Sequence, residues 1–147
     1  MLHAEASLTQ SLDGSDRGRI LTKRGLAQGI AMGKALRSQE VKPELILCSP
    51  YHRTSETASL ISEHSGIKVV CTAHWLASGM FYTTALEELA VYREFTSIAI
   101  VGHQPDLGYL LEYLSSEHTT FAVEQGSMFK THGSLSRGKC VVQRILP

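Results

Sequence analysis

The chain lacks an excess of charge of either sign: Lys and Arg together number 14, and so do Asp and Glu. A surface that tracks a nucleic acid backbone needs a basic surplus, so nucleic acid is not expected as the main partner. Affinity for any anion must come from local placement of charge. Long apolar runs are also missing. None approaches the roughly 20 residues that cross a bilayer, so no membrane partner is expected. The start, Met1-Leu2-His3-Ala4-Glu5, has neither the basic nor the apolar region of a secretion signal. Cysteine is scarce: Cys48, Cys71 and Cys140 only. The odd count and wide spacing fit neither a disulfide framework nor a zinc site. Each lies in an apolar, strand-like run, so buried reduced thiols and a reducing compartment such as the cytoplasm are expected. The seven histidines show no paired helical spacing and no Cys pair beside them. No metal and no cofactor is expected.

What is present fits one globular domain spanning 1–147. The length is enough to bury a core without disulfides or metals. Apolar residues make up 43% of the chain, typical of a folded, soluble protein rather than a disordered one. Residues 7–21 are polar and glycine-bearing and read as a loop. Thr22 caps a helix to about Gln39, with Leu26, Ile30, Gly33 and Leu36 at helical spacing. Strand 45–48 follows Lys42-Pro43. Ser49-Pro50 reads as a helix start, with Ser49 as N-cap and proline in the first turn, and Gly66 as the stop. A strand over 67–71 comes next. Thr84-Ala85-Leu86-Glu87 matches a capping box opening a helix to about Phe95. Strand 97–102 then precedes a helix capped by Asp106, with Leu107, Leu110, Leu111 and Leu114 as its apolar stripe. In the tail, 121–132 holds a strand, 134–138 a turn, and Cys140 to Leu146 a last strand. Strands alternating with helices predict a three-layer α/β/α sandwich with a mainly parallel sheet.

Two of these strands end alike. Ser97-Ile98-Ala99-Ile100-Val101-Gly102 runs into His103, and Leu45-Ile46-Leu47-Cys48 into Ser49-Pro50-Tyr51-His52-Arg53-Thr54. Each delivers a phosphate-competent side chain to a strand's C-terminal end, where open α/β sheets bind ligands. Arg53 falls in the first turn of a helix. The partial positive charge there and a guanidinium's planar fork both suit an anion. Arg53 is equally a solvated surface residue, and His103 equally a polar strand terminator. His3 alone is a terminal residue with no assigned task. Two histidines and an arginine converging on one crevice would point to phosphoryl transfer, which asks mainly for alignment and positive charge around the equatorial oxygens.

Four stretches occur in a telling order: His3-Ala4-Glu5-Ala6; Arg19-Ile20-Leu21-Thr22 with Gly25; Ser49-Pro50-Tyr51-His52-Arg53-Thr54 with Thr57-Ala58; and Val101-Gly102-His103. Together they resemble the histidine phosphatase superfamily, the phosphoglycerate mutase-like fold, and in particular its small bacterial branch of SixA-type phosphohistidine phosphatases. The resemblance implies a sheet with helices on both faces. It implies that His3 is the nucleophile that becomes a phosphohistidine, that Arg53 binds phosphate, and that His103 is the second pocket histidine. Arg19 and Ser49 would be further phosphate-binding positions. The substrate would be a phosphorylated protein or a small phosphorylated molecule. Oligomeric state is left open.

The chain departs from that pattern in three places. The family has Arg-His at the end of its first strand, and here Leu2 precedes His3. The apolar residues of that central strand are themselves absent before Met1. A start further upstream, a degenerate family member, or a segment from a partner subunit would each account for the gap. Larger relatives place an acid after the second histidine, where this chain has Gln104, or in an inserted segment. Glu87 and Glu88 fall in the latter region as candidate acids, although capping explains Glu87 as well, and Glu5 is close to His3 in sequence. An imidazole leaving group needs less acid help than an alkoxide, which favours a phosphoramidate substrate. A weakened phosphatase is the leading expectation, ahead of a phosphate- or phosphoprotein-binding module and a plain α/β domain.

Overall fold

The computed structural model describes every residue except Val41, His118 and Pro147. Its centre is a parallel sheet of β3 (Leu45–Cys48), β4 (Val69–Thr72) and β5 (Ile98–Val101), in the order β4-β3-β5. All four residues of β3 are buried. The strand sends alternate side chains to opposite faces, as a central strand must. Leu45 and Leu47 join one core cluster, with Leu107, Leu110 and Leu114 of α4 (Asp106–Leu114) and with Ala85 and Leu89 of α3 (Tyr82–Leu89). Ile46 and Cys48 join the other, with Met32 and Leu36 of α1 (Lys23–Arg37) and Ala58 and Ile61 of α2 (His52–Ser65). Helices therefore cover both faces, the three-layer arrangement expected. An antiparallel hairpin of β6 (Met128–Gly133) and β7 (Cys140–Leu146) closes the chain. No helix among the described residues is long and apolar enough to cross a membrane.

Much of the local reading holds. Thr22 caps α1, its side chain accepting the Gly25 N–H. Gly66 ends α2 in the left-handed region at φ 86°, which its missing Cβ permits. The tail strand and its turn lie where expected.

Other expectations are corrected. Residues 7–21 are not simply a loop: β1 (Ala6–Ser11) and β2 (Arg19–Leu21) pair antiparallel around a tight polar excursion. Strand propensity in Leu8-Thr9-Gln10 was masked by its exposure. Ser49 is not the N-cap of α2. Tyr51 holds that position, and the Ser49 hydroxyl turns instead to His103. Helix α3 starts at Tyr82, so Thr84 lies inside it and caps nothing, and the helix ends at Leu89 rather than near Phe95. Pro105 is the N-cap of α4, and Asp106 spends its carboxylate on the N–H groups of Gly79 and Met80. Cys71 is exposed on edge strand β4, while Cys48 and Cys140 are buried. The central strand before His3 is not wholly absent. Met1 to His3 supply a three-residue stub, with Leu2 bridged in parallel to Gly102.

Candidate functional site

The site forms where the stub, β3 and β5 end together. His3 N–H donates to the Gly102 carbonyl and Gly102 N–H to that of Met1, which aligns the stub with the end of β5. One residue on, Ala4 N–H donates to Thr57 Oγ1, and Thr57 donates to the Arg53 carbonyl. The backbone around His3 is thus tied to both the sheet and the first turns of α2. That explains why Thr57 belongs with the neighbouring motif residues.

The geometry brings His3, Arg53, His103 and Ser49 together. Arg53 Nε donates to His3 Nε2 at 3.3 Å. The His3 and His103 ring centroids are 5.4 Å apart. His103 Nε2 lies 2.7 Å from Ser49 Oγ. The Tyr51 ring stacks obliquely on His103 at 4.7 Å and lies under the Arg53 guanidinium at 4.8 Å. His3, Arg53 and His103 are all buried.

Hydrogen bonding fixes what each ring can do. His3 Nδ1 lies 2.8 Å from the Ala4 carbonyl. A carbonyl only accepts, so Nδ1 carries the ring hydrogen and Nε2 keeps its lone pair, which accepts the Arg53 Nε–H. Burial lowers the His3 pKa to about 4, with the Arg53 charge adding to the effect against the Ala4 hydrogen bond. Burial and then the Arg53 and His3 charges lower that of His103 to about 3. Both imidazoles are neutral near pH 7, so His3 Nε2 is a competent nucleophile. Ser49 Oγ accepts the Tyr51 N–H and is placed to donate to His103 Nε2. His103 Nδ1 is buried without a partner. Buried polar atoms rarely stay unpaired, and this one suits an anionic oxygen as a hydrogen-bond donor.

Asp16 is the residue that sequence reasoning missed. Its carbonyl accepts from Arg53 Nη1 at 2.8 Å, and its carboxylate meets Arg53 Nη2 at 3.3 Å and Arg19 Nε at 2.8 Å. The loop between β1 and β2 therefore lays an internal anion on the guanidinium groups. Arg19 touches Asp16 and the Ser7 carbonyl and makes no hydrogen bond to either histidine. Tyr51 lies within the Ser49–Thr54 stretch, where no local signal marks it, and its ring supports both His103 and Arg53. Glu5 is occupied elsewhere, accepting from Thr22 Oγ1 and pairing with Arg24. Glu87 and Glu88 are exposed on α3, and neither makes a hydrogen bond or ion pair with the site residues. Among the described residues no group of acidic, His and Cys side chains is placed to hold a metal.

Comparisons with known proteins place the chain in a family. The histidine phosphatase superfamily (branch 1) matches residues 3–76, half of the chain, and the chain belongs to that superfamily. Among solved structures, the protein histidine phosphatase SixA complexed with tungstate is similar with a TM-score of 0.86 at 22% identity, over 97% of this chain and 91% of that one. The α-ribazole phosphatase of Shigella flexneri is similar at 0.69 and 18% identity, over 100% and 94%. A mycobacterial glucosyl-3-phosphoglycerate phosphatase in complex with VO3 is similar at 0.66 and 13% identity, over 97% and 94%. No match was found among curated protein sequences. The family and the mixed α/β fold are thereby those the sequence led one to expect.

Proposed function

We propose that the protein is a metal-independent phosphatase that works through a phosphohistidine at His3 and acts on phosphohistidine carried by a protein. The observation that carries the reading is neutral His3 with its ring hydrogen on Nδ1, which leaves the Nε2 lone pair facing the Arg53 guanidinium. His3 Nε2 attacks phosphorus as the bond to the leaving group breaks. The phosphoryl group then rests on His3 until water attacks and releases inorganic phosphate. Arg53 offers its N–H groups to the equatorial oxygens, and His103 Nδ1 offers another. Neither step requires a cofactor.

The missing acid supports this substrate class. The carboxylates of Glu5, Glu87 and Glu88 make no hydrogen bond or ion pair with His3, Arg53 or His103, and Gln104 cannot donate as an acid. A phosphoramidate such as phosphohistidine tolerates that absence better than a sugar phosphate. A SixA structure among the similar folds supports the same choice. Leu2 stands where the family pattern has an arginine, so turnover is weak relative to relatives that keep it. A phosphate- or phosphoprotein-binding module is the second reading, favoured by Leu2 and by the Asp16 carboxylate already seated on Arg53. Three free thiols fit a reducing compartment such as the cytoplasm.

Parallel turnover measurements on a phosphohistidine peptide and on a sugar phosphate test the proposal. Faster release of phosphate from the peptide is expected. A clear preference for the sugar ester overturns the substrate class, and binding of vanadate without turnover of either favours the second reading.

A further inference from the structure

One guanidinium touches both the proposed nucleophile and a carboxylate. Arg53 Nε donates to His3 Nε2, and Arg53 Nη2 donates to Asp16 Oδ2, each at 3.3 Å. Among the described residues, Asp16 is the only carboxylate paired with Arg53. A phosphoryl group that takes those two N–H groups has His3 toward one end of the guanidinium and Asp16 toward the other. In-line transfer sets the leaving group opposite the nucleophile across phosphorus, away from His3.

Asp16 is held there by backbone as well as by charge. Its carbonyl accepts from Arg53 Nη1, and the next carbonyl, of Arg17, accepts the His52 N–H at the start of α2. Within the same excursion the Asp13 carboxylate ties Ser11 to Ser15, and Leu12 N–H closes on the Gly18 carbonyl. The Asp16 side chain is nonetheless 63% exposed. With Arg19, Leu8, Thr9 and Ser15 it lines an open cleft of about 460 Å³, room for a histidine side chain and its flanking backbone. A carboxylate offers about four acceptor positions, and here Arg19 and Arg53 take one each. Slight burial raises the Asp16 pKa, but the Arg53 and Arg19 charges outweigh it and hold the group below the usual carboxylate value. Near neutral pH it can therefore accept a hydrogen bond but cannot donate a proton.

We propose that Asp16 receives the leaving imidazole: its carboxylate accepts the N–H of the substrate phosphohistidine ring, on the nitrogen that does not carry phosphorus. The assignment rests on the phosphohistidine reading of the substrate. The step then balances without an enzyme acid. The substrate ring enters as an imidazolium, phosphorus on one nitrogen and hydrogen on the other. The His3 Nε2 lone pair forms the new bond to phosphorus, the substrate P–N bond breaks, and its electron pair returns to the ring nitrogen. The substrate leaves as neutral imidazole with its N–H still on Asp16. His3 becomes the phosphorylated imidazolium with its Nδ1–H still on the Ala4 carbonyl. Each ring thus has an oxygen acceptor for its distal N–H. A sugar phosphate brings no such N–H, so Asp16 discriminates against it.

The charged and titratable groups around that ring come from several elements: Arg53 and Tyr51 at the start of α2, Arg19 of β2, and His3 and His103 at the strand ends. Arg17, beside Asp16 in the loop, has its guanidinium 5.4 Å from the Tyr51 ring centre. The arginine charges favour the neutral substrate ring and Asp16 the protonated one. Loss of the carboxylate therefore lets the ring deprotonate at lower pH.

Binding is measured by calorimetry at pH 7 in His3→Asn, which keeps the substrate intact, with and without Asp16→Asn. The probes are a phosphohistidine peptide and the matching phosphoserine peptide. Asp16→Asn is expected to weaken the phosphohistidine peptide about fivefold or more, while the phosphoserine peptide binds as well or tighter. Loss on both peptides reduces Asp16 to ordering Arg53, and gain on both reduces it to a competitor; either overturns the proposal. With His3 present, the alkaline limb of kcat on the phosphohistidine peptide should move down by about half a pH unit or more in Asp16→Asn and return in Asp16→Glu. An unmoved limb overturns the proposal too. A parent chain that turns over neither peptide ends the phosphatase reading, and the opposed signs in binding still decide whether Asp16 recognises the ring.

Discussion

His3 and Arg53, 50 positions apart in the chain, meet through their nitrogen atoms: Arg53 Nε donates to His3 Nε2 at 3.3 Å. One guanidinium thereby orients the proposed nucleophile and waits beside it for the phosphoryl oxygens. Lysine keeps the charge but loses the fork that does both. Arg53→Lys is expected to lower kcat/KM by about 10²–10³-fold, the cost of removing an oriented transition-state donor. Steady-state kinetics on a phosphohistidine peptide check this. A loss below about threefold would remove Arg53 from the chemistry.

The depressed histidines set a pH signature. His3 titrates at about 4 and His103 at about 3 in the folded protein, against 6.5 for an ordinary imidazole. Between pH 6.5 and 4 the unfolded chain binds more protons than the folded one. Stability therefore rises with pH across that window and is lost on acidification through it. The thermal midpoint of His103→Asn should fall less steeply from pH 6.5 to 4 than that of the parent chain. In kinetics, the acid limb of kcat/KM should lie near pH 4 rather than 6.5, because the free enzyme needs neutral His3.

Asp16 occupies the arginines proposed to receive a phosphate. Its carboxylate is largely exposed, so the pair is worth at most about 1 kcal/mol. Asp16→Asn is expected to tighten vanadate binding by up to roughly fivefold, measured by calorimetry. Weaker binding would show that Asp16 orders Arg53 rather than competing for it.

Leu2 is 2% exposed, at the position where the family pattern has an arginine. Leu2→Arg is expected to raise kcat while lowering the thermal midpoint, since a buried apolar contact is traded for a charge. A fall in both would show that the pocket cannot accept a second guanidinium from this position.

Gly25 records how closely α1 approaches the segment after His3. A Cβ there would overlap the Glu5 carbonyl oxygen, a backbone atom that cannot swing aside. Gly25→Ala should destabilise the protein by about 1–3 kcal/mol despite alanine's better helix propensity, read by denaturant unfolding. A neutral effect would mean that the two segments move apart freely.

The legible parts of the molecule were those governed by local pattern. The apolar run 45–48, the Thr22 cap and the Gly66 stop follow from short-range backbone chemistry, and each stands where the sequence put it. The residues that met at the site could be named because strand ends gather ligands and because motif order pointed to a family. Misread features depended on distant partners. Ser49 looked like a cap but bonds His103, 54 positions away. Asp106 looked like a cap but bonds Gly79 and Met80. Asp16 read as one more polar loop residue, and only the pairing of β1 with β2 lays it on Arg53. Exposed strands such as β1 carry no alternating apolar signal, so no periodicity could mark them.

The most direct measurement is acid-quench trapping of the protein after brief exposure to a radiolabelled phosphoramidate, followed by peptide mapping. Acid-labile, base-stable phosphate on the peptide containing His3, absent from His3→Asn, is the expected result. Turnover without any such label, or label that persists in His3→Asn, would contradict His3 as the group that carries the phosphoryl.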